Sequence, residues 1–129
     1  MKREISKMTL IVIFLLATTW AFAGQKEKIA VAANGETPGA SISAQAGTAP
    51  YFLFFDEKGK FIEAVENPYK GKEGAGKSVA DYLAGKGVTV ILAEGFGGPI
   101  VGVMKDKGIK ATAFKGSAEE AVKKVLQPK

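Results

Sequence analysis

The chain has 129 residues, a formal net charge of +5 at pH 7, and neither cysteine nor histidine. That length corresponds to one small domain. The missing thiol and imidazole exclude disulfide scaffolds, zinc sites of the Cys/His kind and His-dependent catalysis. Basic and acidic residues are interspersed along the chain, so the charge pattern does not indicate nucleic-acid binding.

The first 23 residues have the three-part pattern of a secretory signal peptide. Basic residues precede an apolar run over residues 9–16, and Ala21 and Ala23 supply the small residues of a cleavage site. The run is shorter than the roughly 20 apolar residues of a membrane-spanning helix; an uncleaved N-terminal anchor is the alternative. We predict cleavage after Ala23, a periplasmic or secreted mature domain over residues 24–129, and no membrane contact after cleavage.

The first half of the mature chain predicts strands. Strand-like patterns cover residues 28–33, 50–56 and 61–67. The first is a short apolar stretch, and the other two form a hairpin around turn residues at 57–60. Small polar residues over 40–47 predict a loop between the first strand and the hairpin.

The second half alternates helices and strands. Helical patterns cover residues 75–86 and 99–107 and a last stretch that starts at Ser117, and strand patterns cover residues 88–93 and 109–114. Glu120 follows Ser117 by three residues, which is the spacing of a capping box. Such alternation predicts right-handed crossovers between parallel strands. The expected fold is α/β, with a mixed sheet of about five strands and helices on its faces.

Residues 71–78 fit the phosphate-binding pattern G-x-x-x-x-G-K-[ST] in full. A P-loop needs a buried parallel strand that runs directly into it, whereas the preceding segment here is the second arm of the predicted hairpin, cut off at Pro68. We therefore predict a mobile glycine-lysine loop rather than nucleotide hydrolysis. A third possibility is that free N–H groups at the following helix start hold some other anion.

The glycine-rich loop at residues 94–98 follows an apolar strand and opens into a helix. Ligands of open α/β sheets bind in the crevice at the carboxyl ends of the strands, and a helix N-terminus favours anions. The loop is therefore a candidate ligand site, with a tight strand-to-helix connection as the alternative. No catalytic constellation stands out, so we predict that the protein is not an enzyme.

Four segments together resemble the NifX/NifB-type dinitrogenase iron–molybdenum cofactor biosynthesis domain, over roughly residues 28–127. They lie at residues 28–32, at 43–52, at 66–68 with 74–76, and at 95–99 with 107–110. The resemblance implies a three-layer α/β/α, ribonuclease H-like fold. It also implies a carrier or chaperone, without catalysis, for an iron–sulfur or molybdenum-containing cluster. Gln45-Ala46 stands where members often carry His followed by Phe, and glutamine is a poor ligand for iron or molybdenum.

These observations predict a non-catalytic periplasmic domain that binds a metal cluster, a molybdate-like oxyanion or another small anion. The candidate ligand-binding residues come from three segments: Ser43, Gln45, Gly47, Thr48, Gly76, Lys77, Gly95, Gly97 and Gly98. No residue is predicted to be catalytic or a direct metal ligand.

Two other functions stay open. One is a protein–protein interaction module that has lost its ligand and associates through the hairpin at residues 51–65 or an edge strand. The other is a hydrolase of the ribonuclease H type, for which Asp56 and Glu94 are the only plausible carboxylate pair.

Overall fold

A computed structural model describes residues 27–127. The elements run in the order β1 (Ile29–Ala33), β2 (Tyr51–Phe55), β3 (Phe61–Glu66), α1 (Ala75–Gly85), β4 (Val90–Ala93), α2 (Gly98–Asp106), β5 (Lys110–Ala113) and α3 (Ala118–Leu126). Each predicted element is present, with ends that differ by one or two residues. The predicted signal peptide lies outside the described residues. Within residues 27–127, no helix has both the length and the apolar character needed to cross a membrane.

The five strands form one mixed sheet in the order β3-β2-β1-β4-β5. The central strand β1 pairs in parallel with β4, and β4 in parallel with β5. The hairpin of β2 and β3 adds two antiparallel members. The predicted α/β fold with a mixed sheet is therefore confirmed. β4 begins two residues later than predicted. The N–H of Val88 bonds back to the carbonyl of Leu83 at 3.1 Å, at the end of α1, whereas the N–H of Thr89 already donates to the carbonyl of Lys28 at 2.8 Å.

Both faces of the sheet are covered, which makes three layers. All five residues of β1 are buried, as expected of a central strand with helices on both sides. Ala30 and Ala32 point into one core with side chains of α1 and α2. Ile29, Val31 and Ala33 point into a second core against α3. This alternation follows from the two-residue period of a strand, and it places α1 and α2 side by side on one face.

Short-range polar contacts fix the ends of the elements. The hydroxyl of Ser117 accepts a hydrogen bond from the N–H of Glu120 at 3.3 Å and donates to its carboxylate at 2.8 Å, which confirms the predicted cap of α3. In the β2–β3 turn, the carboxylate of Asp56 accepts from the N–H groups of Lys60 and Lys58, both at 2.9 Å. The hydrogen bond from Lys60 is the main cause that holds the pKa of Asp56 below its usual range.

Candidate functional site

The loop at residues 43–48 closes over the carboxyl ends of β1 and β4. The N–H of Ser43 donates to the carbonyl of Ala32 at 2.8 Å, and the N–H of Glu94 donates to the carbonyl of Ser43 at 3.0 Å. The N–H of Ala46 donates to the carbonyl of Gly95 at 3.2 Å. These bonds join the polar loop to the glycine-rich loop after β4, so two of the three predicted site segments lie against each other.

Glycines also allow the third segment, the start of α1, to lie directly against the loop at residues 43–48. A Cβ atom on Gly95 would lie 3.0 Å from the carbonyl oxygen of Ala44. One on Gly47 would lie 3.1 Å from Cα of Gly76, and one on Gly76 would lie 3.3 Å from Cβ of Ile100. Contacts this short leave little or no room for a side chain, so these three glycines hold the loop, α1 and α2 together.

A cavity of about 300 Å³ opens where these segments meet. Its lining is Gln45, Gly47, Thr48, Lys72, Gly74, Ala75, Gly76, Lys77, Gly97, Pro99 and Ile100. Six of the nine candidate residues are in this set: Gln45, Gly47, Thr48, Gly76, Lys77 and Gly97. Whether they bind a ligand stays a prediction, but the fold brings them to one place.

The other three candidates do not line this cavity. Ser43 is buried, and its hydroxyl donates to the carbonyl of Gln45 at 3.2 Å, so its side chain shapes the loop. Gly95 lies against Ala44 and Gln45 behind the wall. Gly98 begins α2 with open space beside it. Their places in the fold are structural or peripheral to the opening.

Two helix N-termini border the cavity, and neither has a side-chain cap. Gly74 precedes α1 in the left-handed conformation, with φ of 68°, and Gly97 precedes α2. The first turn of each helix contains no acidic residue. By contrast, α3 is capped by Ser117 and has two acids in its first turn. The positive dipole ends of both helices therefore border a shared space, which favours an anion.

The N–H groups of Ala75, Gly76 and Lys77 at the start of α1 have no partner within residues 27–127. At α2, Pro99 has no N–H and Ile100 donates to the carbonyl of Gly97 at 3.2 Å, so α2 contributes mainly its dipole.

The side chains at the cavity reinforce this polarity. Lys72 and Lys77 are exposed lining residues, and none of the described residues that line the cavity is acidic. Neither lysine forms an ion pair within residues 27–127; the ammonium of Lys72 lies 5.8 Å from the centre of the Tyr69 ring. The amide of Gln45 is exposed and has no hydrogen-bond partner in the described part of the chain, so it is available to a ligand.

The available donors do not suit direct coordination of a transition metal. The sequence has no cysteine or histidine, and residues 27–127 contain no cluster of three carboxylates that could hold a metal ion. Iron and copper sites in proteins rely mainly on thiolate and imidazole ligands. The cavity instead offers backbone N–H groups, the Gln45 amide, the Thr48 hydroxyl and two ammonium groups, which suit an anion better than a bare metal ion.

The carboxylate pair proposed for hydrolysis is not brought together. Phe55 pairs with Ile29 at the start of β1, and Asp56 follows it. Glu94 follows β4, whose Leu92 pairs with Val31 further along β1. Because β2 runs antiparallel to β1, Asp56 and Glu94 lie at opposite ends of the sheet. The hypothesis that these two carboxylates act on one substrate is wrong.

The segment at residues 71–78, which fits the phosphate-binding pattern, follows the second arm of the hairpin, as predicted, and not a buried parallel strand. Its preceding strand, β3, is an outer strand antiparallel to β2, and a turn of several residues separates it from α1. Strand and helix therefore lack the direct connection of a P-loop. Gly76 and Lys77 nevertheless reach the cavity, because the segment ends in the first turn of α1.

Asn67 is a buried residue that supports the cavity wall and was not among the predicted site residues. Its side-chain amide donates to the carbonyls of Gly47 at 3.1 Å and Ala49 at 3.0 Å. Its side-chain oxygen accepts from the N–H of Tyr69 at 2.9 Å. The residue thus ties the loop at 43–50 to the turn before α1. The sequence marked Asn67 only as the end of a predicted strand and as part of the segment 66–68 in the family resemblance, and neither pattern indicates this bonding role.

Comparison with known proteins identifies the family of this chain. A family model described as dinitrogenase iron-molybdenum cofactor matches residues 27–128. The chain belongs to this family. Among solved structures, the apo form of the orange protein from Desulfovibrio gigas is 27% identical, with a TM-score of 0.73 over 78% of this chain and 87% of that one. No curated protein matches the chain.

Two more structures share the family's fold. A putative NifB protein from Thermotoga is 27% identical, with a TM-score of 0.67 over 77% of this chain and 86% of its own. A putative dinitrogenase from Methanocaldococcus jannaschii is 14% identical, with a TM-score of 0.55 over 78% of this chain and 88% of its own. The second is similar in fold alone. The family resemblance predicted from sequence is confirmed.

Proposed function

We propose that this protein is a non-catalytic carrier that holds an anionic metal cluster, or a molybdate-like oxyanion, in the cavity between the loop at 43–48, α1 and α2. The observation that carries the proposal is the convergence of two uncapped helix N-termini and two lysines on one cavity without an acidic lining residue. Membership of the dinitrogenase iron-molybdenum cofactor family supports a metal cluster as the cargo.

The cavity suits reversible holding of a preformed cluster. Backbone N–H groups at a helix N-terminus recognise negative charge without displacing ligands from a metal. The ammonium groups of Lys72 and Lys77 add mobile positive charge at the opening. A site of this kind would release its cargo intact, because no bond to a metal has to break, and that is the property a carrier requires.

Neutralising both cavity lysines tests the proposal. We expect the Lys72→Gln/Lys77→Gln variant to bind tetrathiomolybdate at least tenfold more weakly than the unaltered protein, measured by calorimetric titration. Each lost charge removes a Coulomb attraction that a charged ligand feels at short range. Binding to the unaltered protein should also weaken as salt is raised, since exposed charges are screened.

The matched control is Lys105→Gln/Lys115→Gln, which removes the same amount of charge from residues that do not line the cavity. Its affinity should stay within about twofold of the unaltered protein, because only the net charge changes. Equal losses in the two variants would show non-specific attraction and contradict the proposal. Elemental analysis of protein purified without chelator or His tag gives a second readout. If the purified protein contains no molybdenum, iron or copper and binds neither molybdate nor tetrathiomolybdate, the result favours the protein–protein interaction module instead.

We also propose that the protein acts outside the cytoplasm. The basis is the basic start, apolar run and Ala-x-Ala ending of residues 1–23. Expression with its own N-terminus should yield an extracytoplasmic protein whose first residue is Gly24, as measured by intact mass and N-terminal sequencing. Changing Ala21 and Ala23 to lysine should block cleavage. An uncleaved chain in the cytoplasmic fraction would overturn the assignment of residues 1–23.

A further inference from the structure

The outer strand β5 has free backbone groups along one side. The N–H of Lys110 donates to Thr89 at 2.9 Å and that of Phe114 to Ala93 at 3.0 Å, so alternate residues face β4. Ala111 and Ala113 lie between them and direct their N–H and C=O groups away from the sheet. Both are exposed, and neither backbone N–H has a partner within residues 27–127. This edge can pair with another strand.

A groove of about 480 Å³ runs beside this edge, between β5 and α3. It is lined by Lys110, Thr112, Ala113, Phe114, Lys124, Val125 and Gln127. An exposed strand edge next to a helix is an arrangement that accepts an extended peptide as an added strand, with pockets for alternate side chains. Phe114 and Val125 supply apolar contact surface, while the strand edge supplies hydrogen bonds.

The charges around the groove are of one sign. Lys110 and Lys124 line it, and Lys123 and Lys58 line a second groove of about 440 Å³ that shares Gln127 with the first. None of the described residues that line either groove is acidic, and none of these four lysines forms an ion pair in the described part of the chain. A strand with negatively charged side chains would therefore be attracted to these lysines, so an acidic strand should bind here more tightly than a neutral or basic one.

We propose that β5 and α3 form a docking site for an acidic, extended segment of a partner protein, which adds to the sheet as a sixth strand. Ala111 and Ala113 would exchange backbone hydrogen bonds with it, and Lys110 and Lys124 would contact its carboxylates. The site is separate from the cavity, since the two share no lining residue. The proposal therefore does not depend on the identity of the cargo.

A second copy of the chain suits this edge less well. Two β5 edges paired with each other would bring Lys110 and Lys124 of both copies together, and like charges repel. The opposite edge of the sheet, β3, carries the acidic residues Glu63 and Glu66, so its charge would suit the β5 edge of a second copy. Pairing of β3 with β5, however, is a head-to-tail contact, which generates an open-ended chain of copies rather than a closed assembly. A second copy is therefore a poorer occupant than an acidic partner segment.

A pair of designed peptides tests the docking site. The probe is a fluorescein-labelled seven-residue peptide of alternating glutamate and valine, and its counterpart replaces glutamate with lysine. We expect the acidic peptide to bind at least tenfold more tightly than the basic one by fluorescence anisotropy. In an amide NMR spectrum, the largest shifts should fall on Ala111 and Ala113. No preference for the acidic peptide, or shifts confined to residues around the cavity, would overturn the proposal.

Two variants separate strand addition from simple charge attraction. Ala111→Pro removes an outward N–H that makes no bond in the fold, and proline is tolerated on an edge strand at such a position; it should weaken binding at least tenfold with an unchanged melting temperature. Lys110→Glu/Lys124→Glu should reverse the preference toward the basic peptide. Full binding by a folded Ala111→Pro protein would contradict strand addition. Concentration-dependent self-association without peptide, abolished by Ala111→Pro, would assign the edge to a second copy instead.

Discussion

Replacement of Asn67 by alanine is expected to lower the free energy of unfolding by about 2–4 kcal/mol, because several buried hydrogen bonds are lost together. The amide of Asn67 is the donor to the carbonyls of Gly47 and Ala49, and its oxygen satisfies the N–H of Tyr69. Asn67 and Ala49 are buried. Polar groups left without partners in such a position cost about 1–3 kcal/mol each.

Urea denaturation followed by circular dichroism measures this loss, and the melting temperature should fall by roughly 4–8 °C per kcal/mol in a domain of this size. Asn34→Ala is the matched control. Asn34 is exposed, and its amide donates to the hydroxyl of Ser41 at 2.9 Å and, in a longer contact, to the carbonyl of Ile42 at 3.4 Å, so water can largely replace these bonds. The control should lose less than about 1 kcal/mol. Equal losses in the two variants would show that Asn67 does not hold the loop.

The sheet and helices could be predicted from sequence because local patterns are strong in this chain. The unbroken apolar runs at β1 and β4 match strands that are buried on both faces. Ser117 and Glu120 mark the start of α3 through chemistry within one turn. The strand ends depend on contacts between distant segments, as β4 shows, since Val88 lies in the predicted strand but its N–H bonds back to the end of α1.

The cavity could be predicted only in part, because its walls come from segments far apart in the chain. Gly76 was predicted to lie in a mobile loop and Gly47 in a loop of small polar residues, but the reason for both glycines is a contact between two backbones that no local pattern reveals. Lys72 and Ile100 line the cavity although neither was singled out. Ser43 and Gly95 were singled out, and their contacts hold the loops rather than the opening.

The position of Gln45 connects the sequence argument with the proposed cargo. It stands where the resemblance led us to expect histidine, and the structure places its exposed amide at the cavity wall. An amide can donate a hydrogen bond to an anion, whereas it is a weak ligand for a soft metal. This residue therefore fits recognition of a cluster through the ligands that the cluster carries, and not through a bond to one of its metals.

Replacement of Gln45 by glutamate should weaken binding of tetrathiomolybdate at least tenfold. The substitution keeps the shape of the side chain and places a negative charge in a cavity that otherwise has positive polarity. Two unit charges 4 Å apart interact by about 4 kcal/mol near a protein surface, and tenfold in affinity corresponds to about 1.4 kcal/mol. The side chain makes no hydrogen bond within residues 27–127, so the free energy of unfolding should change little.

Calorimetric titration of Gln45→Glu beside Gln127→Glu isolates the effect of position. Gln127 is exposed and lies outside the cavity, so the same chemical change there should leave the affinity within about twofold, as expected of net charge alone. Because a repelled anion is screened by salt, the gap between the two variants should narrow as ionic strength rises. If Gln45→Glu bound the anion as tightly as Gln127→Glu while remaining folded, the anion would have to bind elsewhere, and the cavity would lose its role as the cargo site.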